Sequence, residues 1–157
     1  MIEDGYWQVL ETSNGTIKMF NAYYDTRQGP MIRILAFINR VEPEMNTFCK
    51  LWYENDDEPS FSPTFEYKVL WHITWGWNHK GSQPYLISCR NPREDVVPSS
   101  VTLVENITDF PMNNHKIIYN LPKDGKKKFG VCVKESDFMD DQTMQIVEWV
   151  ETLFILG

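Results

Sequence analysis

The chain has 157 residues, which is enough for one complete domain and part of a second. Its 42% hydrophobic and 14% aromatic content excludes a disordered chain, and its net charge of −7 argues against nonspecific binding to nucleic acid. No signal or membrane segment is visible, because the most apolar run, residues 31–38, contains Arg33 and is far too short to span a bilayer.

Strand patterns dominate the first 121 residues. Apolar and aromatic runs at 16–24 and 32–38 flank a turn-like segment at 26–30 and predict a β-hairpin. Further strands are expected at 48–53, 65–77, 85–89, 101–104 and 116–121. About seven short strands separated by turns are typical of an antiparallel sandwich. We therefore predict a mainly β fold with a β-sandwich-like domain over residues 1–123.

The last part of the chain has a different pattern. A turn at 122–125 and three lysines mark a domain boundary, after which residues 129–133 predict a strand and a helix is expected from about Asp140. Residues 126–157 thus have the form of the first strand and first helix of an α/β domain, whose parallel sheet needs further strands. We therefore expect the chain to be a truncated piece of a longer protein.

The expected helix carries an apolar stripe. Glu148 and Glu151 are expected to face solvent. The residues expected to face strand 129–133 are Ile146, Val147, Val150 and Phe154.

Cysteines and glycosylation sequons point to the secretory pathway. Cys49 and Cys89 lie in β-rich sequence and are expected to form a disulfide, whereas Cys132 lies in an apolar run and is expected to be a buried free thiol. None of them belongs to a CxxC pair, so a zinc site is not expected. Asn14 and Asn106 each begin an Asn-x-Thr triplet and are candidate N-glycosylation sites.

Two groups of residues are candidates for ligand binding. Trp71, Trp75 and Trp77 alternate on one face and can form a sugar-stacking platform, although burial in a core is the more common role of such side chains. The second group is a turn that follows strand 129–133, at the kind of sheet edge where α/β domains bind ligands. It offers Lys134, Ser136 and Asp137 for a nucleotide donor, although a solvated turn with a helix cap is the interpretation that the residues alone favour.

An ordered series of segments runs through the chain: 23–27, 32–36, 49–53, Cys89 and 100–104, then Phe-Gly-Val-Cys-Val-Lys at 129–134 and Val-Glu-Trp-Val-Glu at 147–151. This series resembles glycosyltransferase family 92. The resemblance implies a GT-A catalytic domain, preceded by a β-rich region, that transfers a hexose to a glycan acceptor. The implied donor is a nucleotide sugar, typically UDP-galactose, with Mn²⁺ as the divalent ion. It also implies a Golgi membrane protein with its domains in the lumen and its membrane segment outside this chain.

The chain departs from this family in its acidic residues. No Asp-x-Asp triplet occurs, so neither a metal site nor a catalytic residue is predicted within these 157 residues. The family also often has Lys-Pro-Leu where this chain has Lys134-Glu135-Ser136. Three interpretations remain open: a glycosyltransferase fragment, a noncatalytic carbohydrate-binding or adhesion module, and a structural stem.

Overall fold

A computed structural model describes residues 6–40, 43–70, 81–120, 131–132 and 141–156 of the chain. The chain divides into two compact units, Met1–Asn120 and Leu121–Gly157. This division lies beside the boundary that we expected between residues 123 and 126. Each unit is described by itself below.

The first unit is built from β-strands. The strands are β1 (Gln8–Thr12), β2 (Gly15–Asp25), β3 (Met31–Ile38), β4 (Phe48–Trp52), β5 (Ser60–Val69), β6 (Gln83–Arg90), β7 (Ser100–Val104) and β8 (His115–Ile118). They form one sheet in the order β1-β2-β3-β6-β5-β4-β7-β8. The mainly β class predicted from the sequence is therefore confirmed.

The expected sandwich is wrong, because the sheet closes on itself. β8 pairs with β2 in parallel, through Ala22 with Ile117 and Tyr23 with Ile118. Seven strands, β2 to β8, thus form a closed, barrel-like ring. β1 occupies the first half of the same edge of β2, pairing with residues 15–19. A sandwich would leave two sheets with separate edges, whereas closure pairs each edge with another strand.

Alternating side chains fill the interior of the barrel. Strand β3 shows the pattern most clearly, with Ile32, Ile34, Ala36 and Ile38 fully buried and the residues between them partly exposed. A period of two places one set of side chains on each face of a strand. The other strands of the ring add the remaining core residues, which include Ile17, Met19, Leu51, Tyr85, Ile87, Leu103 and Ile117.

The predicted disulfide is present within this core. Cys49 on β4 and Cys89 on β6 are bonded, with Cα atoms 6.3 Å apart and both side chains fully buried. Their strands lie on either side of β5, so the bond links next-nearest strands across the concave face of the sheet. The prediction for Cys132 is wrong, because this free cysteine is exposed and residues 131–132 do not form a strand.

The second unit contains helix α1 (Thr143–Leu156). The carboxylate of Asp141 accepts the backbone N–H of Thr143 at 2.9 Å, as expected for a residue that caps a helix. Hydrogen bonds from the Thr143 hydroxyl and backbone lower the pKa of Asp141. No helix in the described part of the chain has the length and apolar character needed to cross a membrane.

The apolar stripe of α1 is not buried. Glu148 and Glu151 are exposed, as expected. The apolar side chains predicted to be covered are exposed as well, and Phe154 is 82% exposed. These exposed side chains are Ile146, Val147, Val150 and Phe154. Most of strand 129–133, which was expected to cover them, lies outside the described residues.

The disulfide is expected to contribute strongly to the stability of the barrel. It joins cysteines that are 40 residues apart in the sequence. For a loop of that length, the lower chain entropy of the unfolded state predicts a stabilisation of about 4 kcal/mol. Replacing both Cys49 and Cys89 with alanine should lower the free energy of unfolding by about 2–4 kcal/mol in urea titrations. Cys132→Ala is the matched control and should change it by less than about 0.5 kcal/mol, because Cys132 is exposed. Equal effects of the two changes would contradict a stabilising role for the bond.

Candidate functional site

Several of the predicted site residues cannot be placed. The three tryptophans Trp71, Trp75 and Trp77 fall in residues 71–80, and the donor-site candidates Lys134, Ser136 and Asp137 fall in residues 133–140. Both segments lie outside the described residues.

A groove of about 430 Å³ lies on the barrel where β1 and β8 come together along β2. We call it the amide groove, because three of its side chains are carboxamides. It is lined by Gln8, Val9, Trp52, Thr102, Pro111, Met112, Asn113 and Asn114. These residues come from β1, β4, β7 and the segment that precedes β8. The strands β4, β7 and β8 are neighbours in the sheet, and its closure brings β1 beside them.

Carboxamides fix one wall of the groove. The Gln8 side chain donates to the Asn114 carbonyl at 2.9 Å and accepts from the Asn114 N–H at 2.6 Å. The Asn113 side chain makes the same pair of bonds to the Leu103 backbone, both at 2.8 Å. Each carboxamide thus makes the pair of hydrogen bonds that the backbone of a neighbouring strand would make. These bonds hold the segment before β8 against β1 and β7.

Trp52 forms another wall. It is the last residue of β4 and is partly exposed, and its indole Nε1–H donates to the Thr102 hydroxyl on the neighbouring strand β7 at 3.2 Å. This bond fixes the orientation of the ring, and an indole ring offers a broad apolar surface together with a polar edge. The groove therefore combines a positioned aromatic ring with polar neighbours.

One polar atom of the lining lacks a partner. Asn114 Oδ1 is buried and makes no hydrogen bond within the described part of the chain. A buried acceptor without a donor costs about 1–3 kcal/mol, and such groups in native structures call for an explanation.

The chemistry of the groove is neutral. None of its lining residues carries a charge at neutral pH. General acid–base catalysis needs a group that gains or loses a proton in the reaction. This arrangement therefore suits the binding of an uncharged, hydroxyl-bearing ligand better than it suits catalysis.

A second exposed aromatic residue was not predicted from the sequence. Trp7 is 49% exposed and packs against Phe20 and Phe37, with ring centroids 5.0 and 5.5 Å apart. Phe20 and Phe37 are outward-facing residues of β2 and β3. The alternation of apolar and polar residues in β2 and β3 could have predicted this outward face. Trp7 could not have been placed on it, because Trp7 precedes β1, a strand that the sequence pattern did not predict.

A smaller groove of about 310 Å³ lies near the β2–β3 turn. The guanidinium of Arg90 lies over the ring of Phe65, with its central carbon 4.7 Å from the ring centroid. Within the described residues Arg90 forms no salt bridge. Stacking of this kind contributes about 0.5–1 kcal/mol at an exposed site.

A charged network lies on the outer face of β2, β3 and β6. The Asp25 carboxylate accepts from Arg27 and from Arg33, at 2.9 Å in each case, and Arg33 also donates to the buried Ser88 hydroxyl at 2.9 Å. Hydrogen bonds from Arg27, and then from Arg33, hold the pKa of Asp25 well below its ordinary value. Because the charges of this network are paired, its role is structural.

The described residues do not provide a site for the Mn²⁺ that the family resemblance implies. No three His, Cys, Asp or Glu side chains among them lie close enough together to hold a metal ion. A divalent ion of this type prefers several carboxylate oxygens. No reaction step can therefore be derived through Mn²⁺ for this part of the chain.

Comparison with known proteins adds no relative. No protein-family model matches the chain. No curated protein matches it. No solved structure matches it.

The network around Asp25 should make the barrel sensitive to acid. Because the folded pKa of Asp25 is depressed, its stabilising contribution is complete above its unfolded pKa and is lost as the pH falls below about 4. Asp25→Asn should therefore lower the free energy of unfolding at pH 7 by about 1–3 kcal/mol and flatten its decline below pH 4. Chemical denaturation across pH 2.5–7 would measure both effects.

Glu66→Gln is the matched control for this measurement. Glu66 is 3.6 Å from Arg33, but its side chain is 41% exposed. Its removal should change stability by less than about 1 kcal/mol. An acid profile of Asp25→Asn identical to that of the wild type would overturn the role assigned to Asp25.

Proposed function

We propose that the barrel is a noncatalytic carbohydrate-binding module and that the amide groove receives a neutral glycan. The observation that carries this proposal is the lining of the groove. It places the positioned ring of Trp52 beside three carboxamide residues in one uncharged depression.

The chemistry of a neutral sugar matches this lining. A pyranose presents apolar C–H faces, which pack on a flat aromatic ring, and hydroxyl groups, which donate to and accept from carboxamides. Binding sites of this kind combine an apolar surface with a few fixed polar groups. Trp52 and Met112 supply apolar surface, and the carboxamide residues of the lining supply polar groups.

We further propose that the chain belongs to a glycosyltransferase of the family 92 type, which transfers galactose or another hexose from a UDP-sugar to a glycan in the Golgi lumen. The ordered resemblance supports this proposal. The buried disulfide between Cys49 and Cys89 fits an oxidising compartment, as do the exposed sequons at Asn14 and Asn106. In this proposal the barrel holds glycan, and the transfer step is assigned to a region other than the barrel.

Substitutions in the groove test the binding proposal. Trp52→Ala should weaken binding of the best neutral glycan from an array by at least tenfold, because the apolar surface of the ring is lost. Asn114→Leu should weaken it several-fold, because the lining loses a carboxamide. It should leave stability unchanged or higher, because it removes a buried acceptor that has no partner. Calorimetric titration and urea unfolding of each variant would measure both quantities.

The control for these variants is Val96→Ala, since Val96 is 41% exposed and does not line the groove. Its affinity should equal that of the wild type. Binding should also persist in EDTA, because the groove contains no metal ligands of the carboxylate, imidazole or thiolate type. Wild-type affinity of Asn114→Leu together with raised stability would show that Asn114 plays no part in binding. Absence of binding to any glycan would instead favour a structural stem.

The chain alone is expected to lack transferase activity. Transfer requires a donor diphosphate neutralised by charge and a base near the acceptor hydroxyl, and the amide groove supplies neither. Purified chain incubated with UDP-galactose, Mn²⁺ and galactosylated or fucosylated acceptors should give no product above background. Turnover that EDTA abolishes would contradict this prediction and would require a metal site outside the described residues.

A further inference from the structure

One contact joins two loops that are far apart in the sequence. The backbone N–H of Ser13 donates to both carboxylate oxygens of Glu105, at 3.0 and 2.9 Å, across 92 residues of sequence. The Ser13 hydroxyl donates to the same carboxylate. Ser13 lies in the turn between β1 and β2, and Glu105 directly follows β7. The two loops are therefore held together at one end of the barrel.

This contact brings the two sequons together. Asn14 is the residue after Ser13, and Asn106 is the residue after Glu105. Both asparagines are exposed. We call this region the sequon end. The sequence gives no sign of this proximity, because the two triplets are separated by most of the barrel.

Both acceptor side chains are held in ordered turns. Asn14 Nδ2 donates to the Glu44 carbonyl at 3.1 Å, and Asn106 Nδ2 lies 3.3 Å from an Asp109 carboxylate oxygen. A glycosylated asparagine keeps one N–H on its side-chain nitrogen. The bond to Glu44 can therefore survive attachment of a sugar at Asn14, and modification is compatible with the fold.

The opposite end of the barrel is where the chain leaves it. Strand β2 begins at Gly15 in the sequon end and runs for 11 residues to Asp25, which is roughly 30 Å of extended chain. Strand β8 runs parallel to it. Tyr119, just after β8, stacks edge-on against Tyr24, with ring centroids 4.9 Å apart. The polypeptide therefore continues beyond the barrel from the end without sequons.

We propose that Asn14 and Asn106 carry an adjoining pair of N-glycans that together cover the sequon end. Partner contacts of the barrel are then confined to its sides and to the end from which the chain continues. The proposal rests on the lumenal location in the proposed function, but it is independent of glycan binding in the amide groove.

The test compares glycan release from the folded chain. The chain is secreted from mammalian cells behind a cleavable signal sequence, as wild type and as Asn14→Gln and Asn106→Gln. Intact mass should show two glycans on the wild type and one on each variant. Under native conditions, peptide N-glycosidase should release each remaining glycan at least threefold faster in the variants, because the neighbouring glycan no longer shields it. After denaturation the rates should be equal.

A control sequon at the other end makes the comparison specific. Glu94→Asn with Val96→Thr, added to Asn106→Gln, places a second acceptor in the loop that follows β6, at the end where Arg90 pairs with Met31. A glycan there should leave native release at Asn14 as fast as in Asn106→Gln alone. Equal release rates in the wild type and both single variants would overturn the adjoining pair.

The remaining outcomes distinguish the proposal of a glycan pair from the proposal that the amide groove binds a glycan. Secreted chain without glycan at either asparagine would overturn the glycan pair but not the lumenal location, because the added signal sequence directs the secretion. Glycan at only one asparagine would overturn the pair alone. Neither result bears on groove binding, which is measured on unglycosylated protein.

Discussion

The pairing of β8 with β2 is the constraint on which the rest of the structure depends. Only two residue pairs form it, Ala22 with Ile117 and Tyr23 with Ile118. They join strands about ninety residues apart and close seven of the eight strands, β2 to β8, into a ring. Since unpaired backbone groups at a sheet edge favour association with other chains, this short pairing also protects the barrel from edge-to-edge aggregation.

The same pairing produces the candidate site. β1 and β8 share one edge of β2, and the amide groove forms where they meet. The Gln8 side chain bonds the Asn114 backbone across this junction, so it joins β1 to the segment that precedes β8. A groove at a strand junction has walls fixed by backbone contacts, which favours a preformed binding surface over one that assembles around its ligand.

The local pattern of apolar and polar residues was sufficient to predict most strands, but not to predict how the strands are arranged. Period-two alternation placed β3 within one residue of its observed start, because an apolar interior imposes that period on any half-buried strand. β1 was missed because its sequence, Gln-Val-Leu-Glu-Thr, is short and half polar. Sandwich and barrel require the same alternation, so the choice between them depends on long-range pairing, which no local pattern encodes. The disulfide was predictable, since Cys49 and Cys89 both lie in strand-forming sequence.

The candidate site was less accessible to sequence reasoning for the same reason. Trp52 and Asn114 lie in separate segments, and the pairing of β4 with β7 and of β7 with β8 places them in one groove. The unpartnered state of Asn114 Oδ1 depends on which donors surround it in three dimensions. The sequons were visible as triplets, but their proximity depends on the Ser13–Glu105 contact.

Within the barrel, residues that carry the resemblance to glycosyltransferase family 92 have structural roles. Tyr24 and Cys49 lie in the core, and Asp25 is bound by Arg27 and Arg33 on the outer face. Each has a structural role that can be stated from its contacts, and none lines the amide groove. The upstream part of the resemblance therefore bears on how the barrel is built. The proposal of hexose transfer depends instead on the segment from residue 126 onward, because that region would have to bind the sugar donor.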